Sequence, residues 1–241
     1  MEKQLPDTKL YESLVETKSL EQLRNNADSL LSTIKLFDMY PTTDPICYDH
    51  LNSLVPVFSA RSPGSIMLIG SEVDFGYSLI YLGNLLRKTD IPFVLHGFFD
   101  YFSLTEDTRK LVQYLVDLSG ISQIKVHFAK DLEDYLIYHP VDTDWILVNH
   151  ISPQRDLTIL RTMESVSLVQ PGTVVARVNC PAECRDKFYE YLLGAPVYKR
   201  TLNEHIGGRK QGRWNLVYEK ISNTYDKYDP ILTVCVDLLN A

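Results

Sequence analysis

Short apolar runs alternate with amphipathic segments five times along the chain, and this alternation constrains the fold more than any other feature. The predicted strands are residues 65–70, 91–99, 124–128, 145–150 and 171–179, and the predicted helices that follow them are residues 76–88, 107–121, 132–139, 156–169 and 184–194. Parallel strands need a crossover, usually a helix, and when covered on both faces they read as continuous apolar runs. The sequence therefore predicts an α/β fold with a doubly wound, mostly parallel sheet.

The two ends of the chain add to this core. Residues 197–202 and 213–221 read as strands joined by a glycine-rich loop without a helix, which predicts an antiparallel edge hairpin and a sheet of seven strands. Residues 1–60 are predicted to be a helical part packed on the same domain, and residues 61–221 its core. Residues 222–241 are predicted to be a C-terminal extension, in which ILTVCVDLL is either an eighth strand or a docking segment.

Composition excludes several classes of protein. The 241 residues carry 24 Lys and Arg against 31 Asp and Glu, a net charge of −7, so a generally basic nucleic-acid binder is disfavoured. Arg209, Lys210 and Arg213 form a local basic loop that fits either a partner contact or a hairpin tip. No apolar run is long enough for a membrane span and no signal peptide is evident, so we expect a cytoplasmic or nuclear protein. Cys180 and Cys184 make only a weak metal half-site.

Ligand chemistry in such a sheet is expected beyond the carboxyl ends of the strands. Four predicted strand ends carry residues of interest: Gly70, Asp100, Asn149-His150 and Arg177-Val178-Asn179. Because parallel strands end at the same edge, we expect these residues to lie close together. They are the first candidates for a functional site.

Several segments match one known family in their order and in their intervals along the chain. They are Gly76-Tyr77-Ser78, LVDLSGI (115–121), ILVNH (146–150), LVQPGTVVA (168–176), Cys180-Pro181 and the closing hairpin. On these segments the chain resembles the catechol O-methyltransferase family, which uses S-adenosylmethionine. The resemblance covers residues 26–221 and implies the Rossmann-like class I methyltransferase fold.

The resemblance implies a set of cofactor-binding positions. They are Gly70, Gly76, Tyr77, Ser78, Asp100 and Asp131. The family's acidic residue in the first strand is Leu68 here, and the glycine loop from Gly70 to Gly76 is about two residues longer, with Val73 and Phe75 inserted. Glu72 or Asp74 is a candidate replacement for the missing carboxylate. S-adenosylmethionine is thus a possible cofactor rather than an established one.

Two of these acids have alternative roles. Asp100 stands where the family binds the ribose hydroxyls, or it is a helix-side cap or a solvated loop acid. Asp131 matches the adenine-contacting region, or it caps the helix that follows. The dense aromatic cluster Phe98, Phe99, Tyr101 and Phe102 either marks an interface or, as we prefer, fills the core.

The family's magnesium and catalytic positions are changed more deeply. Asn149, Arg177 and Val178 replace the Asp, Asp and Asn that hold Mg²⁺, so two negative charges are lost and one positive charge is gained. Ser152 replaces the lysine that serves as general base, and a serine needs a base of its own. His150 is interpreted as a wall residue, although it could act as a base, and Glu204 aligns with the family's hydroxyl-orienting glutamate. We therefore expect no Mg²⁺ site.

Three functional hypotheses follow. The first is a protein that has lost catalysis and acts as a subunit or scaffold through a protein partner. The second is an active O-methyltransferase for a small phenol or catechol with a rebuilt, metal-independent site, in which Asn149, His150 and Glu204 orient the substrate. The third keeps the cofactor without chemistry, as a sensor. Whether the chain is an enzyme at all is left open by the sequence.

Overall fold

The structure, a computed structural model, describes residues 20–36, 48–61, 63–70, 76–89, 91–102, 104–139, 141–149, 153–170, 172–178, 188, 191–192, 216–220 and 232–238. Within them the helices are α1 (Leu20–Leu23), α2 (Ala27–Leu36), α3 (Tyr48–Arg61), α4 (Tyr77–Arg87), α5 (Glu106–Ser119), α6 (Leu132–Tyr138) and α7 (Pro153–Ser165). The strands are β1 (Ser65–Ile69), β2 (Val94–Asp100), β3 (Ile124–Ala129), β4 (Trp145–Asn149), β5 (Val174–Val178), β6 (Leu216–Lys220) and β7 (Leu232–Leu238). None of these helices is long and apolar enough to cross a lipid bilayer.

Strands β1 to β5 coincide with the five predicted apolar runs. Every residue of β4 is buried, and β1 is buried from its second residue onward. Strands of this kind are typical of a parallel sheet that helices cover on both faces. The predicted α/β class with a parallel sheet is therefore confirmed.

The chain divides into two compact units. The N-terminal unit comprises residues 1–64 and 70–130, and it contains β2 and β3. The C-terminal unit comprises residues 65–69 and 131–241, and it contains β1 and β4 to β7. The domain boundaries proposed from the sequence stay predictions.

In the N-terminal unit, β2 and β3 pair in parallel, with His96 opposite Lys125 and Phe98 opposite His127. Helix α4 approaches β2 closely at Gly97. A Cβ atom on Gly97 would lie 2.5 Å from Cδ2 of Leu79, so a side chain has no room there. Glycine inside a strand is thus explained by the close approach of a helix.

Helix α5 has defined ends that also fix the N-terminal helices. Oγ1 of Thr105 accepts a hydrogen bond from the backbone N–H of Thr108 at 3.2 Å, and Gly120 ends the helix with φ of 69°. The N–H of Asn25 donates to the carbonyl of Leu118 at 2.9 Å. The turn between α1 and α2 therefore packs directly on the end of α5.

In the C-terminal unit the strand order is β1-β4-β5-β7-β6. The pairs β1–β4 and β4–β5 are parallel, and β7 is antiparallel to both β5 and β6. Strand β7 therefore lies between β5 and β6 and shares hydrogen bonds with each of them.

The described antiparallel partner of β6 is a different segment from the predicted one. Residues 213–221 do contain β6, but β6 pairs with residues 232–238, which were assigned to the C-terminal extension. The predicted partner, residues 197–202, lies outside the described residues. Pairing between residues 197–202 and 213–221 stays a prediction, and the strand alternative for ILTVCVDLL is confirmed. Of the predicted seven-stranded sheet, the described parallel pairs are β2–β3 in the N-terminal unit and β1–β4 and β4–β5 in the C-terminal unit.

Candidate functional site

A pair of glycines precedes α4 in the N-terminal unit. Gly70 and Gly76 have φ angles of 91° and 80°, which glycine adopts without steric cost. Gly76 is the N-cap of α4 and provides no side-chain cap. A Cβ atom on Gly76 would lie 3.2 Å from Cγ1 of Val112, so this turn is also tightly packed. A glycine turn that opens a helix lets the backbone approach an anionic ligand closely.

The described neighbours of these glycines are buried and carry no charge. Tyr77 and Ser78 form the buried first turn of α4. Leu68, at the position of the family's acid, has no exposed surface. Residues 71–75, which include the insertion and its two carboxylates, lie outside the described residues.

Asp100 ends β2, as predicted, and its side chain has a structural partner. Oδ1 accepts a hydrogen bond from the backbone N–H of Phe102 at 2.9 Å. The carboxyl group thus stabilises the turn after β2 and is only partly buried. Ribose binding by Asp100 stays a prediction.

The aromatic cluster that begins in β2 divides into a buried and an exposed half. Phe98 and Phe99 have no exposed surface, so the prediction that they fill the core is confirmed. Phe102 is 75% exposed, and core filling is wrong for this residue because it lies beyond the end of the strand. Tyr101 packs under the Arg109 guanidinium, which lies 3.7 Å from the ring centroid. Arg109 also donates to the carbonyls of Tyr101 and Leu104, which fixes this turn.

Asp131 is the N-cap of α6 in the C-terminal unit. Its Oδ1 accepts a hydrogen bond from the backbone N–H of Asp134 at 2.9 Å, and the residue is exposed. The capping alternative for Asp131 is therefore confirmed, since this contact is a typical helix N-cap. A contact to adenine stays a prediction.

The predicted metal positions lie side by side in the C-terminal unit. Asn149 ends β4 and is buried, and its register partner on β5 is Val178. Arg177 lies one residue earlier in β5, opposite Val148. The sequence therefore placed these residues correctly at neighbouring strand ends.

Arg177 forms an ion pair that is not among the predictions from the sequence. Its Nε and Nη2 atoms lie 2.7 Å and 2.5 Å from Oδ2 of Asp156, and neither side chain has any exposed surface. The guanidinium carbon also lies 4.7 Å from the ring centroid of Phe188. The sequence did contain a signal for Asp156. It is an acid on the apolar side of a predicted helix, and in the structure it lies among buried residues of α7.

These donors do not fit a magnesium ion. Mg²⁺ is bound through carboxylate oxygens and water, whereas Asn149 offers a neutral amide and Arg177 offers a positive charge. The Asp156 carboxylate is engaged by the guanidinium. Among the described residues, no group of three or more His, Cys, Asp or Glu side chains lies close enough together to hold a metal ion.

The remaining candidates lie outside the described residues. They are His150, Ser152, Glu204, the basic loop residues Arg209, Lys210 and Arg213, and the pair Cys180 and Cys184. Their assigned roles stay predictions.

Comparison with known proteins agrees with this architecture. No family model matches the sequence. Among solved structures, cofactor-bound Rv0187 from MTB has a TM-score of 0.51 at 12% identity and covers 99% of this chain and 100% of its own. The chain has the Rossmann-like methyltransferase fold.

Two further structures have the same TM-score. One is an O-methyltransferase from Bacillus cereus in complex with SAH, at 16% identity over 95% of this chain and 96% of its own. The other is an SAH-bound methyltransferase of Podospora anserina, at 12% identity over 100% of this chain and 97% of its own. At these identities the likeness establishes the fold, and function must be argued from the residues.

Proposed function

We propose that this chain is a methyltransferase-fold protein without metal-dependent catalysis, which acts as a subunit or scaffold by binding another protein. The observation that carries the proposal is the buried ion pair of Arg177 and Asp156 at the predicted metal position. Loss of the metal leaves the fold intact, because the ion pair is internally neutral and requires no further ligand.

The ion pair opposes a divalent cation for two reasons. Arginine stays protonated under all physiological conditions, so Arg177 cannot become neutral to accept a neighbouring cation. Breaking a buried pair leaves an uncompensated charge, which costs about 3–5 kcal/mol. A metal ion at this position would have to overcome that cost before gaining any ligand.

The proton acceptor is the second missing part. With Ser152 in place of the family's lysine, a catechol hydroxyl has no evident base at that position. General-base catalysis contributes roughly 10²–10⁴-fold in enzymes. A bound metal would also lower the hydroxyl pKa. Without either, we expect catechol methylation to be negligible.

The alternative is a metal-independent O-methyltransferase, and one observation favours it. Gly70 and Gly76 keep the left-handed turn conformation that allows close backbone approach at the start of α4. S-adenosylmethionine would supply the methyl group if it bound there. The Gly70–Gly76 turn would hold its anionic part, and Asp100 would accept hydrogen bonds from its ribose.

Two measurements on the full chain separate these functions. Calorimetric titration with S-adenosylhomocysteine tests cofactor binding, and transfer of labelled methyl groups to catechol with and without Mg²⁺ tests catalysis. The non-catalytic proposal predicts no turnover in either case, whatever the titration gives. Turnover at rates normal for enzymes would contradict it, and turnover independent of Mg²⁺ would establish the alternative.

The partner is tested separately by the native mass of the protein. We expect the chain to co-purify from its native source in a stoichiometric complex with a different polypeptide. Recovery of the chain alone or only as copies of itself would contradict the subunit role.

A further inference from the structure

Two histidines from neighbouring strands of the N-terminal unit meet on one face of β2 and β3. Nδ1 of His96 lies 3.0 Å from Nε2 of His127, and the ring planes differ by only 19°. Imidazole nitrogens bind Zn²⁺ at about 2.0–2.1 Å, so a single ion can reach two nitrogens at this separation. Phe98 stacks on His127 with 4.6 Å between ring centroids, which helps to hold the imidazole in place.

The environment of His96 favours its neutral form. Burial, and secondarily the charge of Lys125, lower the pKa of His96 below its ordinary value of 6.5. Neutral imidazole is the form that ligates metals. In the free pair, one of the two facing nitrogens carries the proton of the N–H···N contact. Ligation moves that proton to the other nitrogen of the same ring, so the tautomer changes and the charge does not.

An open groove gives an ion access to His127, one member of the pair. The groove has a volume of about 590 Å³, and its lining includes His127, Lys125, Gln113 and Asp117. Nε2 of Gln113 donates to Oδ1 of Asp117 at 2.9 Å, so this carboxylate already has a partner. Water in the groove can complete the coordination of an ion that has only two protein ligands.

We propose that His96 and His127 form a two-imidazole site for a divalent transition-metal ion, with water as the remaining ligands. Imidazole ligands suit Zn²⁺, Cu²⁺ and Ni²⁺, and the hard cations Mg²⁺ and Ca²⁺ prefer oxygen. The ammonium group of Lys125 on the same face repels the ion and makes the site weaker than a closed structural site. The site uses none of the residues assigned to S-adenosylmethionine or to Mg²⁺ above.

The test is a titration of the full chain with NiCl₂ and CuCl₂ at pH 7.5. We expect one specific site, with nitrogen superhyperfine splitting from two imidazoles in the electron paramagnetic resonance spectrum of the Cu²⁺ complex. His96→Gln and His127→Gln should each weaken binding at least about tenfold, or ~1.4 kcal/mol. The matched control is His139→Gln, at an exposed histidine of the C-terminal unit, which should leave the affinity unchanged.

A variant with higher affinity for the ion distinguishes an effect on the metal site from a folding defect, because a misfolded protein would not bind the ion more tightly. Lys125→Gln removes the repelling charge and should tighten Ni²⁺ binding, whereas Lys130→Gln, at an exposed lysine just beyond β3, should not. Absence of binding by the unmodified chain would overturn the proposal. Binding that persists unchanged in both histidine variants would also overturn it, because the ion would then lie elsewhere.

Discussion

Arg177 and Asp156 are both completely buried, although each carries a full charge in its ordinary state. The cost of removing two ions from water is met here by two short contacts to one carboxylate oxygen and by the nearby ring of Phe188. A hydrophobic pair of similar volume often stabilises a protein as well as a buried ion pair does. The ion pair is therefore an argument against a cation at the predicted metal position, and it is only weak evidence for the stability of the protein.

This interpretation predicts a non-additive mutant cycle. Arg177→Met and Asp156→Leu should each lower the free energy of unfolding by about 3–5 kcal/mol, because each removes the opposite charge from a buried ion. The double variant should lose clearly less than the sum of the two. Urea unfolding measures all three. The control is Lys88→Met at the exposed pair with Asp28, which should cost less than about 1 kcal/mol. Additive losses in the double variant would show that the two charges do not interact.

His96 predicts a specific pH dependence of stability. Its pKa in the folded state lies below the ordinary value of 6.5, so the unfolded chain takes up the proton more readily. Stability should therefore fall as the pH drops below about 6.5, and the fall should end below the folded-state pKa. In metal-free buffer, His96→Gln should flatten this part of the stability profile. An unchanged slope in His96→Gln would contradict this assignment.

At the element scale, local signals predicted most of the secondary structure. Apolar runs located β1 to β5, and Gly120 correctly ended α5 because it adopts the left-handed conformation there. The exact strand pairing at the edge was not predictable in the same way. The composition of β7, which combines Val and Thr with a polar Asp, is compatible with a strand and with an unpaired extension. Its pairing with β5 and β6 identifies it as a strand.

The position of β7 between β5 and β6 predicts slow amide exchange. Backbone N–H groups of residues 233–236 should be protected from hydrogen exchange to a degree similar to those of β5, because β7 has partners on both sides. Exchange measured by mass spectrometry on peptides from 230–241 tests this. The peptide that contains the exposed residues Ile137 and Tyr138 at the end of α6 is the comparison for weaker protection. Rapid exchange throughout 232–238 would contradict this pairing and favour the docking-segment alternative.

At the scale of the whole molecule, the fold was more predictable than the site. The alternation of strands and helices is a pattern made by many residues, so single substitutions leave the predicted α/β sheet recognisable. The site depends on individual side chains, and the role of Arg177 depends on Asp156, which is 21 residues away in the sequence. No local pattern connects these two residues, so the missing metal ligands were evident in the sequence while the ion pair was not.

The central claim is that the predicted metal position does not accept Mg²⁺, and the thermal unfolding of the full chain at increasing Mg²⁺ concentration tests it most directly. A site occupied at a hundredfold excess over its dissociation constant would add about 2.7 kcal/mol to the free energy of unfolding. We predict no specific shift in Tm up to millimolar Mg²⁺, either alone or with S-adenosylhomocysteine present. A saturable Mg²⁺-dependent increase in Tm that disappears in Asn149→Ala would contradict the account.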